Sequence, residues 1–173
     1  MRIPILTRLG DGDRALFRRL ALTDATPSPL RRFWRGVTHL GGARCTLAAT
    51  LVPLTSDGAW RAGAERALAI LVLSHLLVQV VKRTVGRPRP SRGTACAVLI
   101  GEPDRFSFPS GHAAAIMSLA LGYAAVAPAA APAFAALAVV VGFSRVALAV
   151  HYPGDVLAGQ ALAILTAALL PGA

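Results

Sequence analysis

Acidic residues are scarce in this sequence: eight Asp and Glu stand against 18 Lys and Arg, leaving a formal net charge of +10. No cluster of carboxylates is dense enough to hold a magnesium or calcium ion, so no metal site and no cofactor are expected. Cysteine is nearly absent, and Cys45 and Cys96 have neither metal-ligand spacing nor a disulfide framework, so both are expected as free thiols. Aromatic residues reach only 6% and charged residues 15%, while hydrophobic residues make up 55% and the mean hydropathy is +0.59. That balance is too oily for an ordinary soluble domain of this length. A basic, aromatic-poor, apolar chain is suited to anionic lipid or an anionic substrate and not to nucleic acid.

What is present is organised as apolar runs. Residues 1–36 hold no run long enough to span a bilayer, but they carry eight of the basic residues. Ala15, Leu16, Leu20 and Leu22 alternate there with Arg14, Arg18 and Arg19 at roughly helical spacing, which predicts a basic amphipathic helix lying on the membrane surface. Residues 37–173 then read as a membrane domain. Its predicted spans are 37–55, which is marred by Gly41, Gly42, Arg44 and Pro53, then 64–81, 111–127, 132–150 and 156–170. The fold class expected is therefore all-α, a polytopic helical bundle of about five transmembrane helices with one interfacial helix at the N-terminus. In the second span His75, Gln79 and Lys82 share one helical face, predicted to point into the bundle with His75 supporting Lys82 from beneath.

The chemistry-bearing residues fall at the ends of these runs. Lys82 closes the second span, Ser110 opens the third, Arg145 nears the close of the fourth and Asp155 opens the fifth. Successive spans alternate direction, so all four ends should emerge on one side. In the loop at 82–90, Lys82 and Arg89, stiffened by Pro90, could clamp a dianion. At 109–112, Pro109-Ser110-Gly111-His112 leads into an apolar run. It offers a helix N-terminus, a hydroxyl and a close backbone approach to an anion, with His112 placed to protonate a departing oxygen. At 144–155, Arg145 and His151 are expected within a turn or two if the helix runs through His151. Pro153 and Gly154 would then break the helix and let Asp155 fold back to hold the imidazole. The same residues would suit a snorkelling arginine and a capping aspartate. Three cations, a helix terminus and two histidines make metal-free phosphoryl transfer the leading chemistry.

Lysine followed by Arg-Pro, then Pro-Ser-Gly-His, then Ser-Arg, His and Asp at this spacing resemble the type 2 phosphatidic acid phosphatase family, the lipid phosphate phosphatases. Their superfamily also includes soluble bacterial acid phosphatases and vanadium haloperoxidases. The resemblance covers Lys82/Arg89/Pro90, Pro109 to His112, and Ser144/Arg145/His151/Asp155 without departure. It implies an integral membrane phosphatase of a lipid or polyprenyl phosphate, with His151 as the nucleophile that forms a phosphohistidine. Asp155 would then orient His151, His112 would be the general acid, and Lys82, Arg89, Ser110, Gly111 and Arg145 would bind phosphate oxygens. Family members commonly have six spans, so the basic segment here would stand in place of the usual first one.

Two other readings of the same residues are a lipid-phosphate-binding or lipid-moving protein without catalysis and a vanadate-dependent haloperoxidase. The expected partners are a lipid phosphate substrate and membrane lipids, and the expected location is the cell membrane, multi-pass. The arginine-rich N-terminus and the site share a face while the opposite face is close to neutral, which by the positive-inside rule places the site toward the cytoplasm.

Overall fold

A computed structural model describes residues 4–93, 99–101 and 104–171. The helices, in order, are α1 (Pro4–Leu20), α2 (Ser28–His39), α3 (Ala43–Leu51), α4 (Ala59–Val85), the single turn α5 (Pro90–Gly93), α6 (Gly111–Val126), α7 (Ala131–Ala147) and α8 (Pro153–Leu169). No strand is formed among the described residues, where an isolated bridge pairs Pro88 with Phe106. The all-α bundle expected from the sequence is the fold observed.

Local chemistry sets the ends of these helices. Gly86 closes α4 at φ 62, a left-handed conformation that suits glycine, and its N–H returns to the Lys82 carbonyl at 3.1 Å. Ser110 caps α6, and Pro153 occupies the first turn of α8, where its missing N–H costs nothing. α6 is the central helix, packed against α4, α7 and α8. Gly122 allows one close approach: a Cβ there would lie 2.5 Å from the backbone of Ala67 on α4. Ser74 and Ser118 meet across the same seam at 3.2 Å. At the bundle end away from the predicted motifs, Tyr123 packs between Trp60 and Phe134. There Arg66 near the start of α4 also donates to the carbonyls of Ala167 and Pro171 at the end of α8. α4 and α8 therefore run antiparallel, as the alternation of spans requires.

α4 and the stretch Pro128–Ala147 are long and apolar enough to cross a bilayer, and only 33% of each apolar window is buried inside the protein. α6 and α8 are apolar but shorter, at 16 and 17 residues. Val72, Leu76 and Val80 on α4, Val139 on α7 and Leu157 and Leu165 on α8 are exposed, an apolar belt that lipid would cover.

The structure corrects several boundaries. The predicted span at 37–55 is not one helix. α2 ends at His39, the Gly41–Gly42 pair turns the chain, and α3 runs for only 9 residues before Pro53 opens a 3-10 turn. The turn is tight because it packs on α6: a Cβ on Gly41 would come within 3.1 Å of the His112 carbonyl and 2.8 Å of Val141. The basic segment forms two helices, so residue 36 lies inside α2. α7 stops at Ala147, before His151. Cys45 is a free, exposed thiol, while Cys96 lies outside the described residues.

Substituting Gly122 with Ala forces α4 and α6 apart at backbone atoms that cannot rotate away. It is expected to destabilise the protein by about 1–3 kcal/mol. Gly12→Ala on exposed α1, where nothing lies within 4 Å, should leave stability unchanged or slightly raised. Thermal unfolding in detergent compares the two.

Candidate active site

The C-terminal ends of α4 and α7 and the N-terminal ends of α6 and α8 gather at one end of the bundle, and α1 packs against α7 and α8 there. A cleft of about 660 Å³ opens at this end. Lys82, Arg89, Asp104, Gly111, His112 and His151 line its polar part, and Leu47, Leu68, Leu71, Val72 and Leu76 its apolar part. Ser110, Arg145 and Asp155 are buried beside it.

Lys82, the single lysine of the chain, and Arg89 are both buried, which is tolerable only if their charge is met. It is met by Asp104. Its Oδ2 accepts from Lys82 Nζ at 2.6 Å and its Oδ1 from Arg89 Nη2 at 3.1 Å, while its backbone carbonyl accepts from Arg89 Nε at 2.6 Å. Burial raises the Asp104 carboxyl, but the Lys82 hydrogen bond and the charges of Lys82 and Arg89 outweigh it and hold the group below the usual carboxylate range. The predicted dianion clamp thus already grips a carboxylate from its own loop.

Arg89 Nη1 donates to the Val150 carbonyl at 2.9 Å and lies 3.3 Å from His151 Nε2. A guanidinium can only donate, so Nε2 is the acceptor and the imidazole proton sits on Nδ1. Nδ1 is 3.6 Å from Asp155 Oδ2, longer than the hydrogen bond expected. Burial pushes the imidazole down to about 4; Asp155 pulls it partly back, and Arg145 and Arg89 add to the depression. The ring is therefore neutral at ordinary pH, with its Nε2 lone pair turned to Arg89.

His151 reaches this place by a route the sequence did not suggest. After α7 the backbone turns through Ala149 at φ 59, and the N–H groups of Val150 and His151 both return to the Arg145 carbonyl at 3.2 Å. A non-glycine residue in this region costs on the order of 1–3 kcal/mol. Packing of Ala149 against Phe17, Val146 and Tyr152 holds it. Pro153 then starts a helix where a break was expected. Asp155 joins the first turn of α8, its Oδ2 accepting from the Tyr152 N–H at 2.8 Å and its Oδ1 from Arg87 Nη1 at 2.8 Å.

At the start of α6, the Ser110 hydroxyl accepts from the Ala113 N–H at 3.5 Å, and the Ser110 N–H donates to the Asp155 carbonyl at 2.9 Å. This contact ties the α6 N-terminus to the α8 turn. Arg145 is buried and donates from Nη1 to Thr38 Oγ1 at 2.6 Å, and among the described residues its Nε has no partner.

The predicted residues are thus brought to one place, but three partners were missed: Arg87, Asp104 and Asp13, whose carboxylate reaches Arg87 Nη2 at 2.7 Å. The available signal was scarcity, since in a chain with eight acids each one near a basic motif is a candidate partner. His75 departs from expectation. It is exposed on the cleft wall, 3.3 Å from Gln79, because the space between α3 and α4 is an open cleft and not core.

The family model described as the PAP2 superfamily matches residues 64–172. A decaprenylphosphoryl-5-phosphoribose phosphatase of Mycolicibacterium smegmatis is 37% identical over 130 residues, 72% of this chain and 68% of that protein. A lipid A 1-phosphatase of Rhizobium johnstonii is 36% identical over 96 residues, 53% of this chain and 39% of the relative, so the match spans well under half of its length. The crystal structure of a transmembrane PAP2 type phosphatidylglycerolphosphate phosphatase from Bacillus subtilis superposes with a TM-score of 0.75 at 27% identity. That superposition covers 94% of this chain and 84% of the other.

Because Asp104 competes for Lys82 and Arg89, Asp104→Asn should tighten binding of inorganic phosphate by about fivefold, the worth of one partly exposed ion pair. Titration calorimetry on the detergent-solubilised protein measures the change.

Proposed function

The chain belongs to the PAP2 superfamily, and on that footing we propose that it is a multi-pass membrane phosphatase of lipid or polyprenyl phosphates that works through a phosphohistidine, without metal. The observation that carries the proposal is the Arg89–His151 pairing: a neutral imidazole with its Nε2 lone pair directed at cations in a cleft that is apolar at its other end. The decaprenylphosphoryl and lipid A phosphatases among its relatives act on headgroups borne by long tails, and exposed Leu47, Val72 and Leu76 offer such a tail a lipid-facing entrance. In this proposal Lys82, Arg89 and Arg145 neutralise the charge of the phosphate.

In the proposed reaction the phosphate takes the place of the Asp104 carboxylate between Lys82 and Arg89. Ser110, the Gly111 backbone and Arg145, whose Nε has no acceptor among the described residues, hold its remaining oxygens. His151 Nε2 attacks phosphorus, forming the P–N bond as the P–O bond to the lipid breaks. His112 gives its proton to the departing oxygen. Asp155 steadies the positive charge that develops on the ring. In the second half His112 takes a proton from water, the oxygen attacks phosphorus, and the P–N bond breaks to release phosphate and restore His151.

Residues 37–173 form the phosphatase domain in this proposal, with 1–36 as its interfacial segment. α1 packs at the cleft end, and the excess of basic residues in its segment supports a cleft that faces the cytoplasm in this proposal.

Purified protein in EDTA should release phosphate from a polyprenyl or phosphatidyl phosphate, and His151→Ala should lower kcat by at least roughly a thousandfold while its thermal unfolding is retained. Absence of phosphate release from every lipid phosphate offered to the unaltered protein would sink the proposal in favour of lipid binding alone. Neutral His151 is the attacking form and its pKa is depressed to about 4, so acid should silence it only late. The kcat/KM profile should show no loss from this group between pH 7 and about 5, then fall about tenfold per unit below about 4.

A further inference from the structure

α1 lies outside the residues matched by the family model, yet it reaches the candidate site. Asp13 Oδ1 accepts from the Gly154 N–H at 2.8 Å, and Asp13 Oδ2 accepts from Arg87 Nη2 at 2.7 Å. The other fork of that guanidinium, Nη1, is bound to Asp155 Oδ1 at 2.8 Å. Arg87 therefore bridges two carboxylates, one in the α8 turn and one on α1, and its Cζ stacks 4.1 Å above the Tyr152 ring. Phe17, one turn beyond Asp13, is fully buried with its ring centroid 5.2 Å from that of Tyr152.

We propose that Asp13 is a positioning residue for the phosphatase reaction: it fixes Arg87 and the first turn of α8, and through them the Asp155 carboxylate that faces His151. The inference rests on the reading of His151 as nucleophile.

Asp155 is fully buried, so the direction of its carboxylate depends on the few donors that reach it, and Arg87 is the charged one that binds it directly. Arg87 itself retains 21% side-chain exposure and a long flexible stem, so a second anchor on its far side determines whether it stays in place. Asp13 supplies that anchor, and it also satisfies an N–H in the first turn of α8, where a negative charge is favoured. The fit is close: a Cβ on Gly154 would come 3.0 Å from Asp13 Oδ2, so glycine at this position is what lets the carboxylate in. Asp13 is not among the residues that line the cleft, and its two contacts run to Arg87 and to the Gly154 N–H.

The test compares Asp13→Asn, Asp13→Ala and Asp13→Glu in the full-length, detergent-solubilised protein against a lipid phosphate. Loss of a group that orients a reacting side chain from behind costs about 10- to 100-fold. Asp13→Ala should lower kcat within that range, with KM changed by less than about twofold, Asp13→Asn should fall in between, and Asp13→Glu should recover most of the loss. A readout independent of turnover is carbethoxylation of His151 by diethylpyrocarbonate, followed by mass spectrometry. Its rate should rise several-fold in Asp13→Ala as the turn loosens. If Asp13→Ala fails to fold, Asp13→Asn carries both measurements. Unchanged kcat and unchanged His151 labelling in a folded variant would overturn the inference, as would a rise in KM with kcat intact. Should the unaltered protein show no phosphatase activity, the functional proposal fails by itself, and the labelling rate alone decides the role of Asp13.

Discussion

Burying positive charge is the constraint from which the rest of this structure follows. Lys82, Arg89 and Arg145 are all but closed off from solvent at one end of an apolar bundle, where an unpaired cation would be prohibitively costly. Asp104 answers Lys82 and Arg89, and Asp155 and Asp13 share Arg87. Three of the eight acidic residues thus serve one small region. Arg145 is the exception: among the described residues it has the Thr38 hydroxyl as partner, and its Nε has no acceptor. An anion entering the cleft would complete the balance that the protein's own acids leave unfinished.

Such a balance is useful only if the charged ends stay in register, and small residues in the helical seams keep them there. Gly122 lets α6 lie against the backbone of Ala67, fixing α6 along α4. Gly159 does the same between α6 and α8: a Cβ there would sit 2.3 Å from the Ser110 carbonyl oxygen. With the Ser110 N–H bound to the Asp155 carbonyl, the N-terminus of α6 and the first turn of α8 are joined on both sides. The geometry near His151 is therefore set by backbone contacts that a side-chain repacking could not easily move.

Much of this was legible in the sequence, for identifiable reasons. Alternating apolar runs separated by Pro and Gly predicted an antiparallel bundle, and residues placed at consecutive run ends had to share a side. The PSGH and SR–H–D spacings located the helix ends at which Ser110 and Asp155 sit. What escaped was of a different kind. Nothing in the sequence singles out Arg87 or Asp13, because their partners lie far away in the chain. Asp104 lay in a loop with no periodicity to betray which way it faced. The glycine pair at 41 and 42 could be seen to weaken a span, but not to be turning against His112, since that depends on α6 lying alongside.

The turn after α7 shows why a helical expectation failed where chemistry was concentrated. Had the helix continued, His151 would stand about 9 Å along the axis from Arg145 and would project from a different face. Asp155 would be carried a further turn away. Ending α7 at Ala147 and returning the Val150 and His151 N–H groups to the Arg145 carbonyl shortens that path. It brings the imidazole back to the level of the arginine, frees the Val150 carbonyl for Arg89, and lets a new helix start at Pro153 with Asp155 in its first turn. The left-handed conformation at Ala149 is the local cost of this arrangement, and it is supported by packing that includes Phe17 from α1. The N-terminal helix is therefore joined to the candidate site twice, by apolar contact beneath the turn and by the Asp13 carboxylate beside it. A segment that reads as a membrane-surface accessory is thus also a support behind the site.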